Sequence, residues 1–199
     1  MSQLLHQHYQ HRKLEDWVEN RTAYTLQHAE LSIFETHQQA DKVFLQFDDP
    51  VIASMISGKK IMHLQDRPSF GFFPGESVVV PAGQPMLIDF PEARPDDPTE
   101  CLALTIAPER IRENIAYFQE KTAIEKEAVD WSLDVQSLHL THDQGIQQLI
   151  ERLVFIFTES HQSKDVFADL LLKELIIRLF QTHARFLLMD NAENLLSDH

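Results

Sequence analysis

The fold is constrained most by the pattern of apolar residues, which changes near residue 107. From Ala23 to Ile106 the chain consists of short runs rich in β-branched and aromatic residues, separated by turn-forming clusters. These runs are TAYTLQ, LSIFETH, KVFLQF, VIASMIS, KKIMHL, SFGFF, SVVV, PMLIDF and CLALTIA. Regularly spaced short strands of this kind predict a β-sandwich or barrel.

Beyond residue 107 the apolar residues recur about every 3.6 positions, which predicts helices. Pro108 suits a first helical position, because proline lacks the N–H that a helix start leaves unpaired. A later segment, opened by Asp143, has an apolar side made of Ile146, Leu149, Ile150, Leu153, Val154 and Phe157. The sequence therefore predicts an α+β chain with an N-terminal arm or helix at residues 1–22, a β unit at 23–107 and a helical region at 108–199.

The last predicted helix, which begins near Ser163, is apolar on more than one stripe. Leu171, Leu175 and Leu179 lie along one line. The apolar residues outside that line are Leu170, Leu172, Ile176, Ile177 and Phe180. Either one face docks on the β unit while another meets a partner subunit, or both faces are buried within one chain. The first alternative predicts a homodimer whose interface contains Leu171, Leu175, Ile176 and Leu179.

Charge and composition exclude several classes of protein. The net charge is -14, with 31 acidic against 17 basic residues, so nucleic-acid backbones and anionic membrane surfaces would repel the chain. The single Cys101 cannot form an internal disulfide, and no apolar run approaches the roughly 20 residues of a membrane span. The first 20 residues are polar and amphipathic and do not resemble a secretory signal. We expect a cytoplasmic protein with no membrane partner.

Two turn signals enclose a four-residue strand in the stretch FFPGESVVVPAGQPM, residues 72–86. Its spacing is Gly75, five residues, Pro81, one residue and Gly83, and this resembles the second conserved motif of the cupin superfamily. In that motif a metal-binding His and an Asn follow, and here Met86 and Phe90 stand at those positions. The resemblance implies a cupin-like β-barrel, which is a double-stranded β-helix.

The first cupin motif ends in a Gly that matches Gly58 here. The position of the family's Glu then falls on Val51. The two His positions fall on Leu45 and Phe47 or, with the longer spacing, on Phe44 and Gln46. Since alkyl, phenyl and thioether groups do not supply the N or O donors that a divalent metal needs, we expect a barrel without a metal or another cofactor.

A wider resemblance covers most of residues 25–188. The segment SGKKIMHLQDRPSFGFFPGESVVVPAGQP, the strand end CLALTIAPE, the helix RIRENI and the tail LLLKELIIRLF together resemble the N-terminal effector and dimerisation domain of AraC-type transcription regulators. Such domains bind a small-molecule effector and form dimers, while a separate C-terminal pair of helix-turn-helix motifs reads DNA.

The resemblance implies that any contact with DNA is made through that C-terminal domain. This chain contains no basic helix pair, so we expect the DNA-binding domain to be absent from it. The chain is then either a piece of a longer regulator or a natural stand-alone sensor. The acidic balance favours a piece whose basic partner is missing.

The cupin match places Met86 inside the barrel, and strand alternation puts Ile88 and Phe90 on the same side. On neighbouring strands Phe44 or Phe47, Met55 and His63 are candidates for the same interior. We therefore expect an effector-binding site lined by Phe44, Met55, His63, Met86, Ile88 and Phe90. A Met- and Phe-lined interior adapts to an apolar ligand, but the same composition also makes an ordinary filled core.

The sequence predicts a protein without catalytic residues. It has no nucleophile elbow, Gly-rich phosphate loop or paired-Cys spacing. Glu35 and His37 share one strand face, which suits an acid/base pair, but polar pairs on the wet face of a strand are commoner. His6, His8 and His11 offer metal donors or an exposed polar helix. Two other classes stay open: a metal-dependent cupin enzyme, such as an isomerase or dioxygenase, and a solid structural dimerisation module.

Overall fold

The computed structural model describes residues 3–65, 68–122, 138–140 and 143–197. The strands are β1 Asn20–Thr25, β2 Ala29–Thr36, β3 Ala40–Leu45, β4 Val51–Ser57, β5 Lys60–Leu64, β6 Phe70–Phe72, β7 Ser77–Val80, β8 Met86–Phe90, β9 Thr99–Ile106 and β10 Leu138–Leu140. Each of the predicted runs overlaps one strand, so the β-rich interpretation of this region is confirmed. The sequence pattern did not predict β10.

The strands form two antiparallel sheets that face each other as a cupin-like barrel, which confirms the predicted fold class. The larger sheet has the order β1-β2-β9-β4-β7-β10, and the smaller has the order β3-β8-β5-β6. Strand β9 lies near the middle of the larger sheet and pairs with both β2 and β4. Its position there explains why TECLALTI is buried almost throughout.

The two faces of the larger sheet belong to two different apolar cores. On β9, Cys101 and Ala103 point into the barrel, while Leu102 and Leu104 point toward the helices. The same alternation on β2 sends Phe34 into the barrel and Leu31 toward the helices. A sheet covered on both faces needs apolar residues at successive positions, which is why these strands do not alternate with polar residues.

The helices are α1 His6–His11, α2 Pro108–Thr122, α3 Gln144–Thr158 and α4 Lys164–Ser197. Asp143 caps α3 by accepting a hydrogen bond from the backbone N–H of Ile146 at 3.0 Å. Every residue predicted on the apolar side of α3 is buried, so that prediction is confirmed. Arg110 of α2 donates to Asp169 of α4, with 2.7 Å between Nε and Oδ1, and links the two helices.

The N-terminal helix is shorter than the arm predicted at residues 1–22. A 3-10 turn at Gln3–Leu5 leads into α1, which ends at His11, and β1 already begins at Asn20. Arg12 adopts an extended conformation after the last turn. Within the described part of the chain, no helix combines the length and apolar content that a membrane span requires.

Candidate functional site

Part of the predicted effector site lies inside the barrel. Met86, Ile88 and Phe90 are at most 2% exposed, and Met55 belongs to the same apolar cluster. They pack with large side chains such as Phe72 and form the apolar core of the barrel. Among the residues that the structure describes, no group of three or more His, Cys, Asp or Glu is arranged to hold a metal ion.

Phe44 and His63 lie on the outside of the barrel, which corrects their predicted place in the interior. Both are in register with Leu87, on the strands that flank β8, and Leu87 points away from Met86 and Ile88. Phe44 is 60% exposed. A shift of one residue in strand register turns every side chain to the other face, and only the pairing of the strands fixes that register.

His63 belongs to a surface network with Asp89 and Lys42. Its Nε2 lies 2.7 Å from Asp89 Oδ2, and the backbone N–H of Lys42 donates to Asp89 Oδ1 at 2.8 Å. The hydrogen bond from His63 and that from Lys42 hold the pKa of Asp89 below its ordinary value. The network stabilises the outer face of the smaller sheet and does not reach the interior.

The side chains predicted at a dimer interface already pack within their own chain. Leu171, Leu175 and Ile176 are at most 5% exposed, and Leu179 packs against the same core. Burial within one chain, the second of the two alternatives, therefore describes this stripe. Another stripe of α4 remains exposed, since Val166 is 62% and Leu170 61% exposed.

A cavity of about 370 Å³ lies between the larger sheet and α3, outside the barrel. Its walls are residues 54–56 of β4, residues 74–77 at the start of β7, and the α3 side chains Gln147, Ile150 and Glu151. Leu4 and Leu102 complete the lining. Of the six residues predicted to bind an effector, only Met55 contributes to this cavity.

The Pro74–Gly75 turn is fixed to β4 by backbone hydrogen bonds. Gly75 has φ of 85°, a conformation that side-chain-bearing residues rarely adopt. Its N–H donates to the carbonyl of Met55 at 3.2 Å, and the N–H of Met55 donates to the carbonyl of Glu76 at 3.1 Å. The carboxylate of Glu76 accepts from the N–H of Phe73 at 2.9 Å. These hydrogen bonds hold the turn in place as one wall of the cavity.

The cavity combines polar and apolar surfaces. The hydroxyls of Ser54 and Ser77 are buried and hydrogen-bonded to each other at 2.6 Å. Glu76 and Glu151 stand on opposite walls, and Gln147 Nε2 donates to Glu151 Oε1 at 3.3 Å. Apolar walls with a few polar groups are typical of sites for small molecules. The sequence predicted the turn, but nothing in it indicated which helix faces the turn.

A second buried polar group lies where α1 covers the larger sheet. Glu35 is fully buried, with His8 Nε2 at 3.1 Å from Oε2, and with Arg12 Nε at 3.1 Å and His37 Nε2 at 3.6 Å from Oε1. Burial by itself would raise the pKa of Glu35, but His8, Arg12 and His37 outweigh it and hold the pKa below its ordinary value. This corrects two expectations, since Glu35 is not on a wet face and His8 is not exposed.

Lys60 is another buried charge, and the sequence interpretation missed it. It points into the end of the barrel, where Nζ donates to Glu19 Oε1 at 3.0 Å and lies 2.7 Å from Cys101 Sγ. Burial would lower the pKa of Lys60, but Cys101 and Glu19 raise it above its ordinary value. Burial raises the pKa of Cys101 to about 11. Lysine is seldom buried unless it is paired, so composition gave no signal for this group.

Comparison with known proteins gives both a family and a fold. The family profile described as "AraC-type transcriptional regulator N-terminus" matches residues 27–185. A structure of ToxT from Vibrio cholerae is similar with a TM-score of 0.57 and 13% identity, covering 78% of this chain and 56% of that one. No curated protein matches the chain.

Two further similar structures are ligand complexes of ToxT. One is bound to an unsaturated fatty acid, with a TM-score of 0.53, 9% identity and coverage of 79% of this chain and 55% of that one. The other is ToxT from Vibrio cholerae O395 bound to (E)-4-(8-methylnaphthalen-1-yl)but-3-enoic acid, with a TM-score of 0.53, 13% identity and coverage of 78% and 58%. The present chain thus spans little more than half the length of ToxT.

Proposed function

The chain belongs to the AraC-type transcriptional regulator N-terminus family, and from this premise we propose that it senses a small-molecule effector in the cavity between the larger sheet and α3. The observation that carries the proposal is the cavity itself, since it lies where the barrel meets the helical region. ToxT, a protein of similar fold, is known in complex with small organic acids. We therefore place the effector in this cavity, outside the apolar core of the barrel.

The effector would act by shifting the position of α3. A ligand shifts a conformational equilibrium only through different affinities for the two states. Ile150 contributes both to the cavity and to the apolar core that α3 shares with α4. Binding would therefore bias the packing of α4, and through it the arrangement of a DNA-binding domain attached elsewhere in a longer regulator.

We further propose that the domain forms a homodimer through the exposed stripe of α4, made of Val166, Phe167 and Leu170 with the half-buried Ile177 beside them, in place of the residues predicted from sequence. Both proposals describe a cytoplasmic regulator that is not an enzyme and makes no membrane contact. The position of the metal-binding His in cupins holds Met86, buried among apolar groups, which supports a sensor over a metal-dependent isomerase or dioxygenase.

The test is to block the cavity from the helix side. Gln147 is exposed and lines the cavity, whereas its neighbour Gln148 is also exposed but does not line it. In a thermal-shift screen of small molecules, the Gln147→Trp variant should lose the stabilisation that a hit gives to wild type, and Gln148→Trp should retain it. Hits that stabilise both variants equally would show that the effector binds elsewhere. A screen without any hit would favour a solid structural dimerisation module.

A further inference from the structure

The floor of the cavity is the buried part of its lining: Ser54, Met55, Ser77, Leu102 and Ile150. Ser54 of β4 and Ser77 of β7 are partners in the register of the larger sheet, and both are 6% exposed. The next pair on the same side of these strands, Ile52 and Val79, belongs to the apolar core under the helices. Leu102, the partner of Ser54 on β9, belongs to the same core. Two hydroxyls therefore interrupt an apolar surface where it meets the cavity.

The two hydroxyls satisfy each other only in part. The hydrogen bond between them spans 2.6 Å, and it uses one O–H group as donor and the other oxygen as acceptor. A serine hydroxyl offers one donor and two acceptor sites, so the pair retains one O–H hydrogen and further acceptor sites. Among the residues that the structure describes, neither hydroxyl has a second hydrogen-bond partner. A ligand in the cavity can therefore accept a hydrogen bond from the pair and donate one to it.

The stability of the sheet does not by itself explain the pair. Replacing both members of a buried hydrogen-bonded pair by apolar groups is often neutral or even stabilising. Apolar side chains at these two positions would continue the core that Ile52 and Val79 begin on the same strands. We therefore look for the role of the serines in what the cavity binds.

The charged side chains of the cavity already have hydrogen-bond partners. Gln147 and Glu151 are exposed on α3, and Gln147 Nε2 donates to Glu151 Oε1 at 3.3 Å. Glu76 accepts from the backbone N–H of Phe73 at 2.9 Å. The floor, in contrast, consists of the two hydroxyls and apolar side chains. Burying a charge without a partner is costly, so the group of a ligand that reaches the floor should be uncharged.

We propose that the cavity binds an uncharged small molecule, with a hydroxyl or carbonyl group on a compact apolar body. The polar group would lie against the Ser54 and Ser77 hydroxyls, and the apolar body would contact Leu102 and Ile150. This inference rests on the proposed function of the cavity and names the chemical class of the effector. The volume of about 370 Å³ lies at the lower end of small-molecule sites.

The test compares 4-phenylbutan-1-ol with its charged analogues, 4-phenylbutan-1-amine and 4-phenylbutanoate. Calorimetry on the wild-type chain should show the alcohol binding at least about tenfold more tightly than either analogue. The double variant Ser54→Ala with Ser77→Ala should weaken the alcohol by about fivefold, because a neutral hydrogen bond is lost, and should leave the charged analogues unchanged. Its midpoint of urea unfolding should stay close to that of wild type, because both partners of the hydrogen bond are removed together.

Two controls separate the ligand class from the site. Ser69→Ala removes a hydroxyl outside the cavity, one that lies 2.8 Å from His63 Nδ1, and it should leave the affinity for the alcohol unchanged. If a charged analogue binds at least as tightly as the alcohol and Gln147→Trp blocks it, the cavity is the effector site and the uncharged class is wrong. If the alcohol binds equally to wild type and Gln147→Trp, the cavity itself is wrong. An alcohol that does not bind, or that binds the serine double variant as tightly as wild type, overturns the inference.

Discussion

At the scale of single residues, the most informative side chain is Glu35. It is fully buried beneath α1 and contacts His8, Arg12 and His37. His8 in turn lies 2.9 Å from the hydroxyl of Tyr24, through Nδ1. These contacts fix α1 to β1 and β2, and they do so through charge, because a buried carboxylate requires partners.

We predict that Glu35→Gln lowers the free energy of unfolding by about 3 kcal/mol at pH 7, since it leaves Arg12 beside a neutral amide. The pKa of Glu35 is lower in the folded chain than its ordinary value of 4.5. Its stabilising contribution is therefore complete above pH 4.5 and is lost as the pH falls through the folded pKa. Urea unfolding of both proteins from pH 7 to pH 3 should show their difference shrinking toward acid.

Glu30→Gln is the matched control, because Glu30 lies on the same strand and pairs with the half-exposed Arg21. We expect it to change the free energy of unfolding by no more than about 1 kcal/mol. Equal costs for the two substitutions, without dependence on pH, would contradict the role assigned to Glu35.

At the scale of elements, α4 has two apolar stripes with different surroundings. Leu171, Leu172 and Leu175 pack against the core that contains α3, while Val166 and Leu170 are exposed. A helix with water on its whole outer side gains nothing from large apolar residues there. The exposed stripe is therefore the surface that we propose for the contact with a second copy of the chain.

We predict that Leu170→Glu converts the proposed dimer to a monomer and leaves the fold intact, because Leu170 is 61% exposed in its own chain. Leu175→Ala should do the reverse: it should lower the free energy of unfolding by about 2–5 kcal/mol and leave the dimer in place. Sedimentation and circular dichroism on both variants measure the two effects. A dimer that persists in Leu170→Glu would show that another surface is used.

At the scale of the whole molecule, the net negative charge disfavours binding to DNA. Acidic residues outnumber basic ones by 31 to 17, and phosphate contacts supply most of the affinity of a protein for DNA. In the proposed arrangement, this chain binds the effector and forms the dimer, while a separate domain of a longer regulator binds DNA.

We predict that the chain by itself has no measurable affinity for duplex DNA. Fluorescence anisotropy with a labelled duplex should stay flat between about 50 and 200 mM salt, the range over which phosphate-dependent binding falls steeply. Binding that is strong at low salt and lost at high salt would contradict the proposed arrangement, and it would place a DNA-binding surface within this chain.

Local patterns in the sequence predicted the strands from Ala23 to Ile106 and the apolar side of α3. Both the spacing of apolar residues and the presence of turn-forming residues depend only on residues that are close together in the chain. The spacing of Gly75, Pro81 and Gly83 led to the cupin-like barrel and to the inward side of β8, and the wider resemblance over most of residues 25–188 led to the family.

The tertiary structure determined which faces of the strands and helices pack against each other. The outward positions of Phe44 and His63 follow from the register with Leu87, which strand alternation within one segment does not fix. The cavity joins Gly75 and Glu76 to Gln147, residues far apart in the chain that become neighbours only when α3 packs on the sheet. The charges of Glu35 and Lys60 are buried only because distant partners neutralise them. Sequence thus determined most of the elements, and long-range packing determined the cavity that we propose as the site.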